Sequence, residues 1–308
     1  MNLKELESAL RHINYFWIAV SIFFSMLSLI SRAIRWNMLI KPMGYNPKLR
    51  NTFLSVIIMY MINLLIPRAG EVARCSVLTK YDKIPFTKLV GTVFIERLTD
   101  MITMFILAIF IIGSQFSVFK RFLDEHPSMG RNVKHFLTFN NFIWALLGLL
   151  LLAGIFLFLI RLFRHASFMG KVRHLKQQFL EGIKSIASME HKWIYIGHTL
   201  FIFLMWLLMM YVIFLAYKPT SHLTIWAGML TFLMGGLAML MPVQGGIGPW
   251  HFMVYETLIL YGISLDHGKI FALIAHTTIN LIYLILGVIA LVILPVVNGE
   301  KETDAKEK

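Results

Sequence analysis

Residues 193–217 read WIYIGHTLFIFLMWLLMMYVIFLAY and contain no Asp, Glu, Lys or Arg. A helix needs about 20 mainly apolar residues to cross about 30 Å of hydrocarbon, and this stretch supplies them. Three further uncharged stretches, 12–31, 142–160 and 270–297, suit the same role. Of all 308 residues, 58% are hydrophobic and 15% are charged, whereas about a quarter of the residues of a soluble domain are charged. The sequence therefore predicts an all-α, polytopic integral membrane protein.

Hydropathy along the chain predicts about eight hydrophobic segments, of which the second and the seventh are short for a full span and could be re-entrant. Their approximate bounds are 13–31, 51–67, 89–112, 142–161, 193–217, 222–241, 247–263 and 269–297. We expect residues 1–298 to form a single transmembrane domain. The polar segment 299–308, GEKETDAKEK, is predicted to be a disordered charged tail.

The net charge of +13 would also suit a nucleic-acid-binding protein. Most Lys and Arg residues lie between the hydrophobic segments, however, where basic loops meet anionic lipid headgroups. We therefore expect membrane lipids as partners, and no nucleic acid. The same distribution favours an orientation with both termini in the cytoplasm, and it leaves the oligomeric state open.

The second hydrophobic segment ends in NLLIPRAGEVAR, residues 63–74. Pro67 has no amide hydrogen to donate and breaks the helix, and Gly70 allows the backbone to turn. Backbone groups freed in this way cannot face lipid, so the break must face protein or a water-filled cavity. Alternatively, the helix ends at the membrane surface and its arginines reach the headgroups. The charged residues of this stretch are Arg68, Glu71 and Arg74.

A second break follows in LMPVQGGIGPWHF, residues 240–252. Its proline and glycine residues are Pro242, Gly245, Gly246, Gly248 and Pro249. Paired Gly/Pro interruptions in two halves of a membrane protein indicate a transport site and an internal two-fold repeat. The free amides at the start of each new helix favour an anionic group such as a phosphate. The alternative is two unrelated loops.

Charges also occur inside hydrophobic segments, where an ionisable residue is by default a functional candidate. Glu96 and Asp100 are four residues apart, share a helix face and could bracket Arg97 or another cation, unless all three lie at the membrane surface. Glu256 is the one charge between Lys218 and Asp266.

Two histidines lie in or near the second break and the last segment. His251 directly follows the second break, and His276 is four residues from Asn280 in the last segment. A lone histidine in a helix is more often a hydrogen-bonded structural residue than a functional one, so we rank His276 below His251.

The common catalytic patterns are absent from the sequence. It has no phosphate-binding loop of the Gly-x-x-x-x-Gly-Lys-Ser/Thr type, no His-Glu-x-x-His, no Gly-x-Ser-x-Gly, and only one cysteine, Cys75. We therefore expect no catalytic residue, no cofactor and no metal site.

These motifs together resemble the flippase-like transmembrane domain of lysylphosphatidylglycerol synthases and the stand-alone membrane proteins of that superfamily. The resemblance covers nearly the whole chain and is strongest at Asn-x-x-x-Pro-x-x-Gly-Glu-x-x-Arg. It extends from SRAIRWNMLI, with Arg32, Arg35 and Trp36, through the charges of the third segment to the second break. Such families usually carry an acidic residue shortly after the glycine-rich break, where this chain has Trp250 and His251. The 308 residues contain no counterpart of the soluble aminoacyl-transferring domain.

The resemblance implies a lipid flippase of the cell inner (cytoplasmic) membrane that handles phospholipid or lipid-linked headgroups across the bilayer without aminoacylation. In that interpretation Arg68, Arg74 and Arg97 hold a phosphate, and the nearby carboxylates balance these cations or meet a positive headgroup. The expected substrate-binding residues are Asn63, Arg68, Gly70, Glu71, Arg74, Glu96, Arg97, Asp100, Gly245, Gly246, Gly248, His251 and Glu256. One alternative is a membrane-embedded glycosyltransferase or lipid-modifying enzyme that uses a lipid-linked substrate. Another is a non-transporting membrane scaffold whose basic segment 161–192 binds a partner or anionic lipid.

Overall fold

The structure is a computed structural model that describes residues 3–127, 177–182, 184–186, 188–241 and 243–304. The chain divides into two compact units. Met1–Ser114 and Gln178–Lys308 form the first unit, and Gln115–Gln177 forms the second. Every regular element in the described ranges is a helix, which agrees with the predicted all-α class.

Ten α-helices and three short 3-10 turns lie with both ends inside the described ranges; residues 177–182 are also helical. The α-helices are α1 (Leu3–His12), α2 (Tyr15–Ile40), α3 (Leu49–Leu65), α4 (Ala69–Asp82), α5 (Phe86–Ser114), α6 (Phe116–Glu125), α7 (Lys192–Ala216), α8 (Ile225–Ala238), α9 (Pro249–Ile259) and α10 (Leu265–Asp304). The 3-10 turns are Lys41–Met43, Lys218–Thr220 and Gln244–Gly246. Helix α6 belongs to the second unit and the other nine belong to the first.

Three of the described helices, α2, α7 and α10, are long and apolar enough to cross a membrane, and a fourth span results only if α5 and α6 count together. The predicted number of eight segments is therefore not supported. Helices α3, α8 and α9 have 17, 14 and 11 residues, because the two Pro/Gly stretches end α3 and α8 and begin α9. The predicted segment 142–161 lies outside the described residues.

The first unit is organised around α2, which packs most extensively against α7, while α3 packs against α4 and α10. One face of α2 carries Ser21, Ser25 and Ser28 at a spacing typical of a helix interface, and all three are buried. Small side chains allow neighbouring helices to approach closely in a membrane. The Ser21 hydroxyl donates to the carbonyl oxygen of Met209 on α7 at 3.1 Å, so a hydrogen bond accompanies the packing of α2 against α7.

The last helix, α10, extends further than the sequence analysis predicts. It remains helical to Asp304 and so includes the first part of segment 299–308, for which we predict disorder. Glu and Lys are good helix formers, and here they continue a helix already established by the preceding apolar residues. Residues 305–308 lie outside the described ranges.

Candidate functional site

Seven charged residues form one connected set of ion pairs in the first unit, which we call the charge cluster. Two come from α2, two from α4 and three from α5. They are Arg32, Arg35, Glu71, Arg74, Glu96, Arg97 and Asp100.

Glu96 is the centre of the charge cluster and is fully buried. Its Oε1 lies 2.6 Å from Nη1 of Arg32 and 3.4 Å from Nη2 of Arg35. Its Oε2 lies 3.0 Å from Nη1 of Arg74. The cost of burying an ion is offset only when oppositely charged partners and hydrogen bonds surround it, and the three arginines supply both for Glu96. The ion pairs of Glu96 therefore connect α5 to α2 and α4.

Asp100 forms the second layer of the charge cluster, one helical turn after Glu96. Its Oδ1 lies 2.7 Å from Nη2 of Arg35, and its Oδ2 lies 3.1 Å from Nη2 of Arg32 and 3.9 Å from Nη1 of Arg97. The two carboxylates on one face of α5 therefore bracket cations, as the spacing predicts, and these cations are the two arginines of α2.

The accessible edge of the charge cluster is the pair Glu71–Arg97. Nη2 of Arg97 lies 2.6 Å from Oε1 of Glu71, and the two side chains are 39% and 25% exposed, against 1% or less for the other arginines and Glu96. Oε2 of Glu71 and Nε of Arg97 have no hydrogen-bond partner among the described residues. An incoming group would therefore meet this pair first.

The charge cluster carries one excess positive charge, because four arginines face three carboxylates. Arg74 has two donors, Nε and Nη2, that are buried without a hydrogen-bond partner among the described residues. Buried donors left unpaired are costly. Both features favour the binding of an anionic group, for which a guanidinium offers paired donors.

Aromatic rings stack on the three buried arginines. A cation held over a ring is stabilised by the quadrupole of that ring, and more strongly where water is excluded. The pairs are Arg74 over Trp36 at 4.5 Å, Arg32 over Trp206 at 5.0 Å, and Arg35 over Tyr195 at 5.6 Å to the ring centroid. These three guanidiniums are thus held by both rings and carboxylates, whereas Arg97 is the most exposed arginine of the charge cluster.

The first helix break positions α4 against α3. Helix α4 carries Glu71 and Arg74 of the charge cluster. The amide of Gly70 donates to Oδ1 of Asn63 at 2.8 Å. A Cβ atom at Gly70 would collide with the carbonyl oxygen of Met59 and lie 2.8 Å from the Asn63 side chain, so only glycine fits there. Arg68 precedes α4 with a left-handed φ of 64°; its side chain is exposed and lies apart from the ion pairs of the charge cluster.

The two breaks that the sequence analysis pairs lie next to each other in the structure. Nε2 of Gln244 in the second break donates to the carbonyl oxygen of Leu65, the last residue of α3, at 3.2 Å. A Cβ atom at Gly245 would lie 3.4 Å from the Leu64 side chain. One end of α3 therefore contacts both the start of α4 and the glycine-rich turn before α9.

His276 ties the second break to α10. Its Nε2 donates to the carbonyl oxygen of Gly245 at 2.7 Å, which leaves Nδ1 to accept from Nδ2 of Asn280 at 2.9 Å. The His251 ring lies 4.4 Å from the His276 ring, centroid to centroid, and its Nδ1 accepts from the amide of Gly248 at 3.4 Å. Both histidines thus hold the turn by hydrogen bonds.

The remaining predicted site residues follow the second break. Gly245, Gly246 and Gly248 all have positive φ, at 56°, 74° and 93°, a region that favours glycine. Glu256 is half-buried on α9, two turns after the break. Pro242 lies outside the described residues.

Five of the predicted site residues meet in the charge cluster, namely Glu71, Arg74, Glu96, Arg97 and Asp100. Arg32 and Arg35 are not among the predicted site residues and enter the sequence-based predictions only through the family resemblance. Two arginines three positions apart in a membrane span are a signal that could have found them. No group of three or more His, Cys, Asp or Glu suited to a metal ion occurs in the part of the chain that the structure describes.

Comparison with known proteins gives one family and one relative. The model of a family described as the lysylphosphatidylglycerol synthase TM region matches residues 1–287. A protein of Methanocaldococcus jannaschii named as a UPF0104 membrane protein is 28% identical over 116 residues. The match covers 37% of this chain and 34% of the relative, so it spans about a third of that protein's length. No solved structure matches. Because the family model covers most of the sequence and all of the charge cluster, the chain belongs to the lysylphosphatidylglycerol synthase transmembrane-region family.

Proposed function

We propose that this protein moves the polar headgroups of phospholipids or lipid-linked molecules across the inner membrane, with both termini in the cytoplasm. The observation that carries the proposal is the charge cluster: a buried set of ion pairs with one excess positive charge and a half-exposed arginine at its edge. The adjoining helix breaks add backbone groups that a polar headgroup could contact. Family membership supports a membrane-domain role of this kind.

The proposed recognition begins at the Glu71–Arg97 pair. A lipid phosphate would take the guanidinium of Arg97 from Glu71, and the excess positive charge of the cluster would stabilise the phosphate. Arg74 would contribute its two unpartnered donors, as the resemblance implies, but its ion pair with Glu96 keeps it in place. Arg68, the third arginine assigned to the phosphate, is exposed next to the first break and would serve at the approach to the site.

The arrangement of the carboxylates supports transport over the enzymatic alternative. A glycosyltransferase needs a carboxylate free to act as a base, and Glu96 and Asp100 each contact at least two arginines. Glu71 contacts Arg97. Incubation of the purified protein with radiolabelled nucleotide sugars and lipid acceptors tests the alternative directly, and sugar transfer to lipid would establish it.

Reconstituted vesicles test the transport proposal. Fluorescent phospholipid is placed in both leaflets, and a membrane-impermeant reductant added outside quenches the outer leaflet at once and the inner leaflet only as lipid crosses. We expect the wild-type protein to accelerate the slow phase and Arg97→Gln to reduce this acceleration at least tenfold. Arg121→Gln, which alters an exposed arginine of α6, is the matched control and should behave as wild type. Equal rates for Arg97→Gln and wild type, or no movement of any phospholipid by folded protein, would refute the proposal.

A further inference from the structure

A groove of about 280 Å³ runs along the first unit between α2 and α10, with α1 at one end. Its walls are almost entirely aliphatic, with Ile18 and Ile22 on α2 facing Ile274 and Ile285 on α10, and Leu10 at the end formed by α1. No residue of the charge cluster lines it. The groove is thus a separate feature from the site described above.

The two helices that form the walls of the groove indicate that the groove faces lipid. Helices α2 and α10 are two of the three described helices that are long and apolar enough to cross a membrane. Large apolar side chains at the groove remain exposed, including Tyr15 at 64% and Leu281 at 51%. Such surface is stable beside hydrocarbon and unfavourable beside water, so the groove opens to the lipid tails.

The length of the groove matches the thickness of the hydrocarbon layer of one membrane leaflet. On α10 it extends from Ile274 to Ile285, which is about 16 Å at a rise of about 1.5 Å per residue. Half of the hydrocarbon core of a bilayer is about 15 Å. If the groove were empty, the side chains that line it would lack dispersion contacts on one side. One extended acyl chain lying along the helices would supply those contacts.

The two ends of the groove differ in polarity. At the α1 end, the last helical turn carries Arg11 and His12, and the Tyr15 hydroxyl donates to the carbonyl oxygen of Leu10 at 2.8 Å. Basic and tyrosine side chains are typical of the level of the lipid headgroups. The other end lies deeper along α2, near the hydrogen bond between Ser25 and Tyr283. Arg11 is paired with Glu7 at 2.7 Å, so this end of the groove is polar, and an amphipathic ligand would lie with its polar headgroup at α1.

We propose that this groove binds one acyl chain of a membrane phospholipid, with the headgroup at the level of the last turn of α1. The site is independent of the charge cluster. On α2, ten residues separate Ile22 at the groove from Arg32 in the cluster, a distance of about 15 Å along the helix. The bound lipid is therefore a resident of the groove and not the molecule that meets Arg97.

Photocrosslinking tests the assignment on the wild-type protein. The protein is reconstituted in nanodiscs that contain a phosphatidylglycerol with a diazirine in one acyl chain, irradiated, digested and analysed by mass spectrometry. We expect labelling to concentrate on residues 10–22 and 274–285, several-fold above the equally apolar and exposed face of α5 at Met101, Phe105 and Ile109. Labelling spread evenly over the exposed apolar faces would overturn the proposal.

Filling the groove provides a second measurement. Thr278→Trp places an indole within the groove lining, and we expect it to reduce labelling of residues 10–22 at least fivefold. Leu291→Trp changes a residue of the same helix that is 48% exposed and outside the groove, and it should leave labelling unchanged. Equal labelling in the two variants would also overturn the proposal. Arg97→Gln should reduce lipid movement at least tenfold without altering the labelling pattern, so the two proposals can fail separately.

Discussion

Replacing Glu96 by Gln tests the idea that one buried carboxylate holds the first unit together. The substitution keeps the size of the side chain but removes the negative charge that faces Arg32, Arg35 and Arg74 at 2.6, 3.4 and 3.0 Å. The excess charge of the cluster then rises from one to two. Removing one partner of a buried ion pair typically costs about 3–5 kcal/mol, because the remaining charge has no compensation.

The expected loss can be measured as a change in the melting temperature. At about 2–4 °C per kcal/mol for chains of this order of size, we expect Glu96→Gln to lower it by roughly 10 °C. Intrinsic tryptophan fluorescence of the detergent-solubilised protein is a suitable signal, since Trp36 and Trp206 stack on two of the affected arginines.

The control for this experiment breaks an exposed pair. Glu7 and Arg11 are 2.7 Å apart on α1, with side chains 64% and 74% exposed, and exposed pairs contribute little to stability. Glu7→Gln should therefore shift the melting temperature far less than Glu96→Gln. The double variant Glu96→Gln with Arg74→Met restores the original excess charge, so it should be more stable than the sum of its single effects predicts. Strict additivity, or equal shifts for the two glutamine variants, would refute the reasoning.

Three further predictions concern the helix breaks and the core. Gly70→Ala should destabilise the protein by about 1–3 kcal/mol, since its Cβ atom collides with the backbone of α3, whereas Gly113→Ala on α5 meets nothing within 4 Å and should not; equal melting temperatures would contradict the packing at the first break. His276→Ala removes the hydrogen bond to Gly245, and hydrogen exchange at residues 243–248 should become several-fold faster, while unchanged exchange would mean that the histidine does not hold the turn. Cys75 is 1% exposed, so iodoacetamide should modify it only after unfolding in detergent with denaturant; rapid modification of the native protein would show that α4 is displaced.

Local chemistry alone was enough to predict the class of the protein and the position of its two breaks. Uncharged stretches predict membrane helices because hydrophobicity is a property of each side chain, and Pro67 ends α3 because it lacks an amide hydrogen. The glycines of the second break take the positive φ values for which glycine is suited. The number of spans was not predictable in the same way, because hydropathy does not show where helices as short as α3 and α8 end.

Tertiary structure decided which charged residues act together in the charge cluster. Glu96 and Asp100 are predicted as candidates from the sequence, but their partners Arg32 and Arg35 lie more than 60 residues away in the chain, and only the packing of α2 against α5 brings them within ion-pair distance. The same packing leaves Arg68 exposed, although the motif alone ranks it with Arg74. Sequence determines where a charge or a break must occur, because these follow from single residues and their neighbours. The energy of a buried charge depends on which groups surround it, and that is settled only when distant helices meet.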